Sequence, residues 1–155
     1  MQKVILITGI STGFGRKTAE MLAERGHIVY GTVRKQTEVK PGINVLRMDL
    51  TDQKSVQHAV EQVIQKEGRI DVLINNAGVH TGGAIETTTL ENARLQLDTN
   101  IMGLVYMLRE VLPVMRKQNH GTLINFSSIG GLMGLPFQGF YSASKFAIEG
   151  LSEAL

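Results

Sequence analysis

The sequence contains no cysteine, which excludes disulfides, zinc–thiolate centres and cysteine nucleophiles together. It has no marked excess of charge either. Sixteen basic and 14 acidic residues leave a formal net charge of +2, spread along the chain. That balance offers no basic face to nucleic acid and no polybasic run to a membrane. Long apolar runs are also missing. The stretch Val4 to Ile7 is too short for a signal-peptide core or a membrane span, so a cytoplasmic protein is expected. His27, His58, His80 and His120 lack metal-ligand spacing, so no metal site is expected and the four are read as surface histidines. No internal repeat or low-complexity segment is visible.

What is present suits a globular domain. The chain has 155 residues, 43% of them hydrophobic, enough for one domain (1–155) with a substantial core. KVILIT (3–8) is an apolar, β-rich run without alternation, the pattern of a strand buried on both faces. From Phe14 to Arg25 the positions Ala19, Leu22 and Ala23 recur at helical spacing, and Gly26 ends that helix. Segments 27–33 and 44–49 read as strands. Asp52 is placed to cap a helix reaching Glu67, with Val56, Ala59, Val60, Val63 and Ile64 on one face. DVLINNAG (71–78) is a fourth strand running into a glycine turn. A helical pattern from Leu90 to Lys117 is expected in two pieces, with Pro113 as the candidate kink. GTLINFSS (121–128) is a fifth strand, and a helix runs from Tyr141 to Leu155.

Strands alternating with helices predict an α/β fold: a doubly wound, Rossmann-like parallel sheet in a three-layer α/β/α arrangement. In such sheets ligands bind beyond the carboxyl ends of the strands. The polar and glycine-rich segments TGISTGFG, TVRK, MDL, NNAG and SSIGG all fall there. Glycines at Gly9, Gly13 and Gly15, between a strand and a helix, suit close approach of backbone to a phosphate. The spacing is not that of a P-loop, because GFGRKT lacks the G-K-[ST] element.

With these motifs in order, the chain resembles the short-chain dehydrogenase/reductase family. It carries T-G-x-x-x-G-x-G as TGISTGFG, N-N-A-G as Asn75 to Gly78, and Y-x-x-x-K as Tyr141 to Lys145. Ser128 precedes the tyrosine at the family's usual distance, and Asn100 lies in DTNIMG. The residue chemistry agrees. Tyr141 and Lys145 share one face of a helix, and a nearby ammonium favours the phenolate. Taken singly, each has a structural alternative: a buried tyrosine, a lysine reaching for solvent, a capping serine.

The resemblance implies an oxidoreductase transferring a hydride between NADP(H) and an alcohol or carbonyl substrate. Tyr141 would be the general acid or base, Ser128 would orient the substrate oxygen, and Lys145 would hold the nicotinamide ribose. Asn100 would anchor a water relaying protons from Lys145. Cofactor contacts are expected from Gly9, Ser11, Gly13, Phe14, Gly15, Arg34, Asp49, Leu50, Asn76 and Gly78, together with Tyr141 and Lys145. Arg34, following Val33 where an NAD enzyme carries an acid, favours NADP(H) over NAD(H), with help from Ser11 and Lys35. Thr12, rather than a basic residue, precedes the second glycine, which departs from some NADP-preferring members. Asp49 would meet the adenine amino group, and Asn76 the adenosine ribose.

The apolar loop LMGLPFQGF (132–140) could wall an apolar substrate pocket or be covered by the rest of a longer chain. Family members run longer than this chain and add further strands, so the sequence is expected to be the N-terminal part of a longer enzyme, with its C-terminal strands missing. The edge at the fifth strand would then lie open. By resemblance the complete enzyme would be a homodimer or homotetramer pairing through the helices around 98–117 and 141–155. A nucleotide-binding module without turnover is the alternative. It would need the glycines and Arg34 but not Ser128, Tyr141 and Lys145 together.

Overall fold

The computed structural model describes residues 1–155. Five parallel strands form one sheet: β1 (Val4–Ile7), β2 (Ile28–Val33), β3 (Ile43–Arg47), β4 (Val72–Asn75) and β5 (Thr122–Asn125). Their order is β3-β2-β1-β4-β5, so the direction of winding reverses between β1 and β4. This is the doubly wound arrangement, and the reversal marks where a ligand crevice opens.

Residues alternate across the sheet. Val4 and Leu6 of β1 point into a core shared with α2 (Gln53–Glu67) and α4 (Gly103–Gln118), through Val56, Val60, Val63, Met107 and Val111. Ile5 and Ile7 point the other way, into a core shared with Ala19 of α1 (Gly13–Glu24). Both faces of β1 and β4 are buried, which explains their unbroken apolar runs. β5 differs. It is an edge strand, and Thr122 and Ile124 on one of its faces are exposed while Leu123 and Asn125 are half-buried.

The local signals for α2 hold at both ends. Asp52 accepts from the Lys54 N–H, and Gly68 closes the helix in the left-handed conformation at φ 71°. The helical stretch after Leu90 divides, but not at the proline. α3 (Leu90–Leu97) passes into a π turn, Asp98–Met102, and then into α4, which continues past Pro113 without a break. The break thus sits at the segment holding Asn100, where a wider turn is a frequent mark of a functional site. α5 (Gly139–Glu153) begins two residues before Tyr141. It packs on α4 through Ile148 against Leu104 and Leu108, so two of the positions expected at a subunit interface are already buried inside the chain.

Candidate active site

The groove at the switch point has a volume of about 270 Å³. Its walls include Gly9, Ser11, Phe14, Arg34, Asp49, Leu50, Asn76 and Gly78, eight of the cofactor-binding residues expected from the sequence. Gly13 and Gly15 lie in the same loop but outside the lining, with separate roles. Gly13 has φ +60° and nothing within 4 Å of a built Cβ, so it keeps an open, side-chain-free surface at the start of α1. A side chain at Gly15 would run into the Asn76 amide and the Gly9 carbonyl.

The loop after β1 is held rigidly by the turn after β4. Thr8 Oγ1 accepts from the N–H groups of Asn76 (3.1 Å) and Ala77 (3.0 Å). The Asn76 amide donates to the carbonyls of Thr8 (2.9 Å) and Gly9 (3.0 Å). Gly9, at φ +73°, lies so near Ala77 that a Cβ would come within 2.8 Å of that side chain. Asn76 therefore shapes the groove as well as lining it.

At the groove's other end stand Arg34 and Asp49. Asp49 Oδ1 accepts from the Thr51 N–H (2.9 Å) and hydroxyl (2.8 Å). The Thr51 N–H, chiefly, holds the Asp49 carboxyl below its usual range, and the nearby Arg34 charge adds to this. Asp49 is thus ionised at neutral pH, with Oδ2 free to accept. Thr99 also lines the groove. Its hydroxyl is buried without a hydrogen-bond partner, and sequence reading did not single this residue out.

The second cluster is built on β5 and α5. Lys145 is only 6% exposed, and its Nζ donates to the Phe126 carbonyl at 2.7 Å. Burial lowers its pKa from the ordinary lysine value. Nζ stands 5.7 Å from the centre of the Tyr141 ring. Ser128 begins the short 3-10 turn Ile129–Gly131, and its Oγ accepts from the Gly130 N–H at 3.2 Å, leaving its own hydrogen to donate.

Asn100 is buried in the π turn. Its amide donates to the Val79 carbonyl (2.9 Å) and to Ser144 Oγ (3.0 Å), and its Oδ1 accepts from the Val79 N–H (2.8 Å). Gly78 links the two clusters. It lines the groove, and a Cβ built on it would lie 3.2 Å from Asn100 Oδ1 and 4.0 Å from Lys145 Nζ.

The expectation that all four histidines lie at the surface holds for His58, His80 and His120, which are exposed, but not for His27. His27 is half-buried and its Nδ1 accepts from the Lys3 N–H at 3.2 Å. The His80 ring meets the Tyr141 ring at 4.7 Å between centroids, with the planes 87° apart.

A family profile described as short chain dehydrogenase matches residues 3–155. The chain belongs to the short-chain dehydrogenase family. It is 58% identical over 153 residues to a 3-ketodihydrosphingosine reductase of Bacteroides thetaiotaomicron, covering 99% of this chain and 57% of that protein. Two solved family members superpose closely. ElxO with NADP bound gives a TM-score of 0.90 at 31% identity, over 97% of this chain and 65% of that one. A short-chain dehydrogenase/reductase from Burkholderia phymatum in complex with NAD gives 0.91 at 28% identity, over 99% and 58%. The chain thus spans somewhat more than half the length of the family members it matches, and nicotinamide cofactors of both kinds occur among them.

Proposed function

We propose that this chain is the cofactor-binding and proton-transferring part of an NADP(H)-dependent oxidoreductase that interconverts a ketone and a secondary alcohol on an apolar substrate. The observation that carries the reading is Gly78, which joins the nucleotide groove to the Tyr141–Lys145 cluster. A sensor would need only the groove.

The groove suits a dinucleotide. Gly13 leaves the backbone N–H groups at the start of α1 open to a pyrophosphate. Arg34 supports NADP(H), since a guanidinium can pair with a 2′-phosphate bidentately. Asp49 Oδ2 would accept from the adenine amino group. The bound nicotinamide supplies the hydride.

Everything else falls to the chain's own residues. Ser128 donates its free hydrogen to the substrate oxygen and fixes its direction. Tyr141 gives that oxygen a proton in reduction and removes it in oxidation. Lys145, tied to Phe126 by one N–H, has two left for the ribose hydroxyls and the phenolate side of Tyr141. Asn100 Oδ1, which accepts one hydrogen bond, keeps a second lone pair, and the space beside Gly78 between it and Lys145 Nζ is where a relay water would bind.

The loops beside this cluster carry Ile85, Ile129, Leu132, Met133 and Phe137, all exposed, and suggest a long or bulky apolar substrate. The relative named as a 3-ketodihydrosphingosine reductase makes that long-chain ketone the compound to test first. A homodimer or homotetramer through α4 and α5 belongs to the same proposal, with Ile101, Val105 and Leu112 still half-buried and open to a partner. The test is NADPH oxidation by the complete protein with 3-ketodihydrosphingosine and with small ketones. Turnover on the long-chain ketone supports the reading. Tight NADPH binding without turnover on any ketone replaces it with the binding-module reading.

A further inference from the structure

His80 has no part in the roles assigned so far, yet the fold fixes it with care. The backbone on either side of it is anchored to buried amides. Val79 exchanges both its backbone groups with Asn100, and the Thr81 N–H donates to Gln96 Oε1. Asn100 is 3% exposed and Gln96 fully buried, so neither anchor can swing into solvent. Beyond them the Gly83 N–H donates to the Phe137 carbonyl at 2.7 Å, tying the same segment to the turn just ahead of Tyr141. His80 is itself exposed, and the restrained backbone holds its ring against the Tyr141 ring, edge to face.

Two further groups stand beside the half-buried Tyr141 ring. Gly130 flanks the ring with no side chain of its own; a Cβ there would stand 3.4 Å from Tyr141 Cε1. Lys145 Nζ is 5.7 Å from the ring centre. Edge-to-face pairing is directional, so a ring at His80 selects among the orientations left to the phenol. Proton transfer depends on that choice, because a displacement of the order of 1 Å at a reacting group is enough to lower a rate severely.

We propose that His80 is a positioning residue, whose ring holds the Tyr141 phenol in the orientation from which its hydroxyl reaches the substrate oxygen. The proposal rests on the reading of Tyr141 as the proton carrier. It assigns His80 no proton of its own to transfer.

The experiment compares His80→Ala and His80→Phe in the complete protein, with two readouts. The first is NMR of ring-labelled tyrosine. The chain has three tyrosines, and Tyr141→Phe identifies the Tyr141 signal by its disappearance. The second is kcat and KM for 3-ketodihydrosphingosine with NADPH. His80→Ala is expected to move the Tyr141 ring signal and lower kcat roughly three- to tenfold, the range one aromatic edge contact supplies, with NADPH affinity unchanged. His80→Phe, which keeps a ring at the position, is expected to restore both. An unmoved Tyr141 signal in His80→Ala, or a phenylalanine variant no better than alanine, overturns the proposal. Failure of the underlying reading looks different: Tyr141→Phe then keeps wild-type turnover while the ring signal still responds to His80→Ala.

Discussion

The loops that follow β1 and β5 both open onto the site, yet they are held in different ways. The β1 loop is fixed by polar contacts to its neighbour strand, four of them between Thr8–Gly9 and Asn76–Ala77. The β5 loop is held by a lysine at its root and by the hydroxyls of Ser128 and Ser142, and it turns Ile129, Leu132 and Met133 outward. A loop that must fit one invariant ligand gains from rigid backbone groups, since nothing need reorganise when the ligand arrives. A loop that meets a variable, apolar ligand gains from side chains. On the proposed function, the contrast separates recognition of the cofactor from recognition of the substrate at one end of the sheet.

The sharpest way to break that contrast is to disable one side and leave the other intact. Tyr141→Phe removes a hydroxyl and keeps the ring, so turnover is expected to fall by roughly 10²–10⁴-fold while NADPH binding, read by cofactor fluorescence, stays as it was. Loss of both together would mean that the two regions are not independent.

Arg34→Ala acts on the cofactor side alone. A charge-assisted hydrogen bond contributes about 1.5–3 kcal/mol, so the preference for NADPH over NADH should shrink by roughly 10- to 100-fold in paired titrations. An unchanged ratio removes Arg34 from the site.

Asn76→Ala leaves the Thr8 and Gly9 carbonyls without their donor. We expect a loss of about 1–3 kcal/mol in unfolding stability, measured by denaturant titration, and weaker binding of both cofactors alike. A change in the NADPH/NADH ratio instead would show that Asn76 reads the 2′ position.

The smallest effect lies far from both loops and appears only in alkali. Burial and the hydrogen bond to Glu67 push the Tyr30 hydroxyl up to about 12, from 10.0. A raised value stabilises the fold fully below pH 10.0, and this contribution is lost as the pH climbs through about 12. Stability should therefore drop by on the order of 2 kcal/mol across that window, and Tyr30→Phe should flatten the drop. An equal drop in the variant assigns it to other groups.

Much of this molecule was legible in its residues because the signals were local. Asp52 and Gly68 mark the ends of α2 by their own side chain and backbone conformation. The apolar runs of β1 and β4 announce burial on two faces, and the glycines and Arg34 fall at strand ends where the fold opens a groove. What escaped depends on partners distant in sequence. Pro113 is a local signal for a kink, yet α4 absorbs it, and the π turn forms where Asn100 must reach Val79 and Ser144. Thr99 and His80 look ordinary in the sequence. The first reaches the groove wall only through the π turn that carries it, and the second matters only because α5 brings Tyr141 to it.

The bonds between Thr8 and Asn76 join residues 68 apart in the chain. A growing polypeptide therefore completes β1, α1 and β2 from close neighbours long before the partners of its first glycine loop have been synthesised. Closing so long a loop carries an entropic cost that is met only when β4 pairs with β1, and parallel pairing of distant strands is slow. The loop cannot take its final shape until Asn76 and Ala77 are in place. β4 is also the strand on which β5 later docks. Competence to bind the nucleotide thus arises in the same step that commits the chain to its topology, and a nascent chain that retains the cofactor has already passed that step.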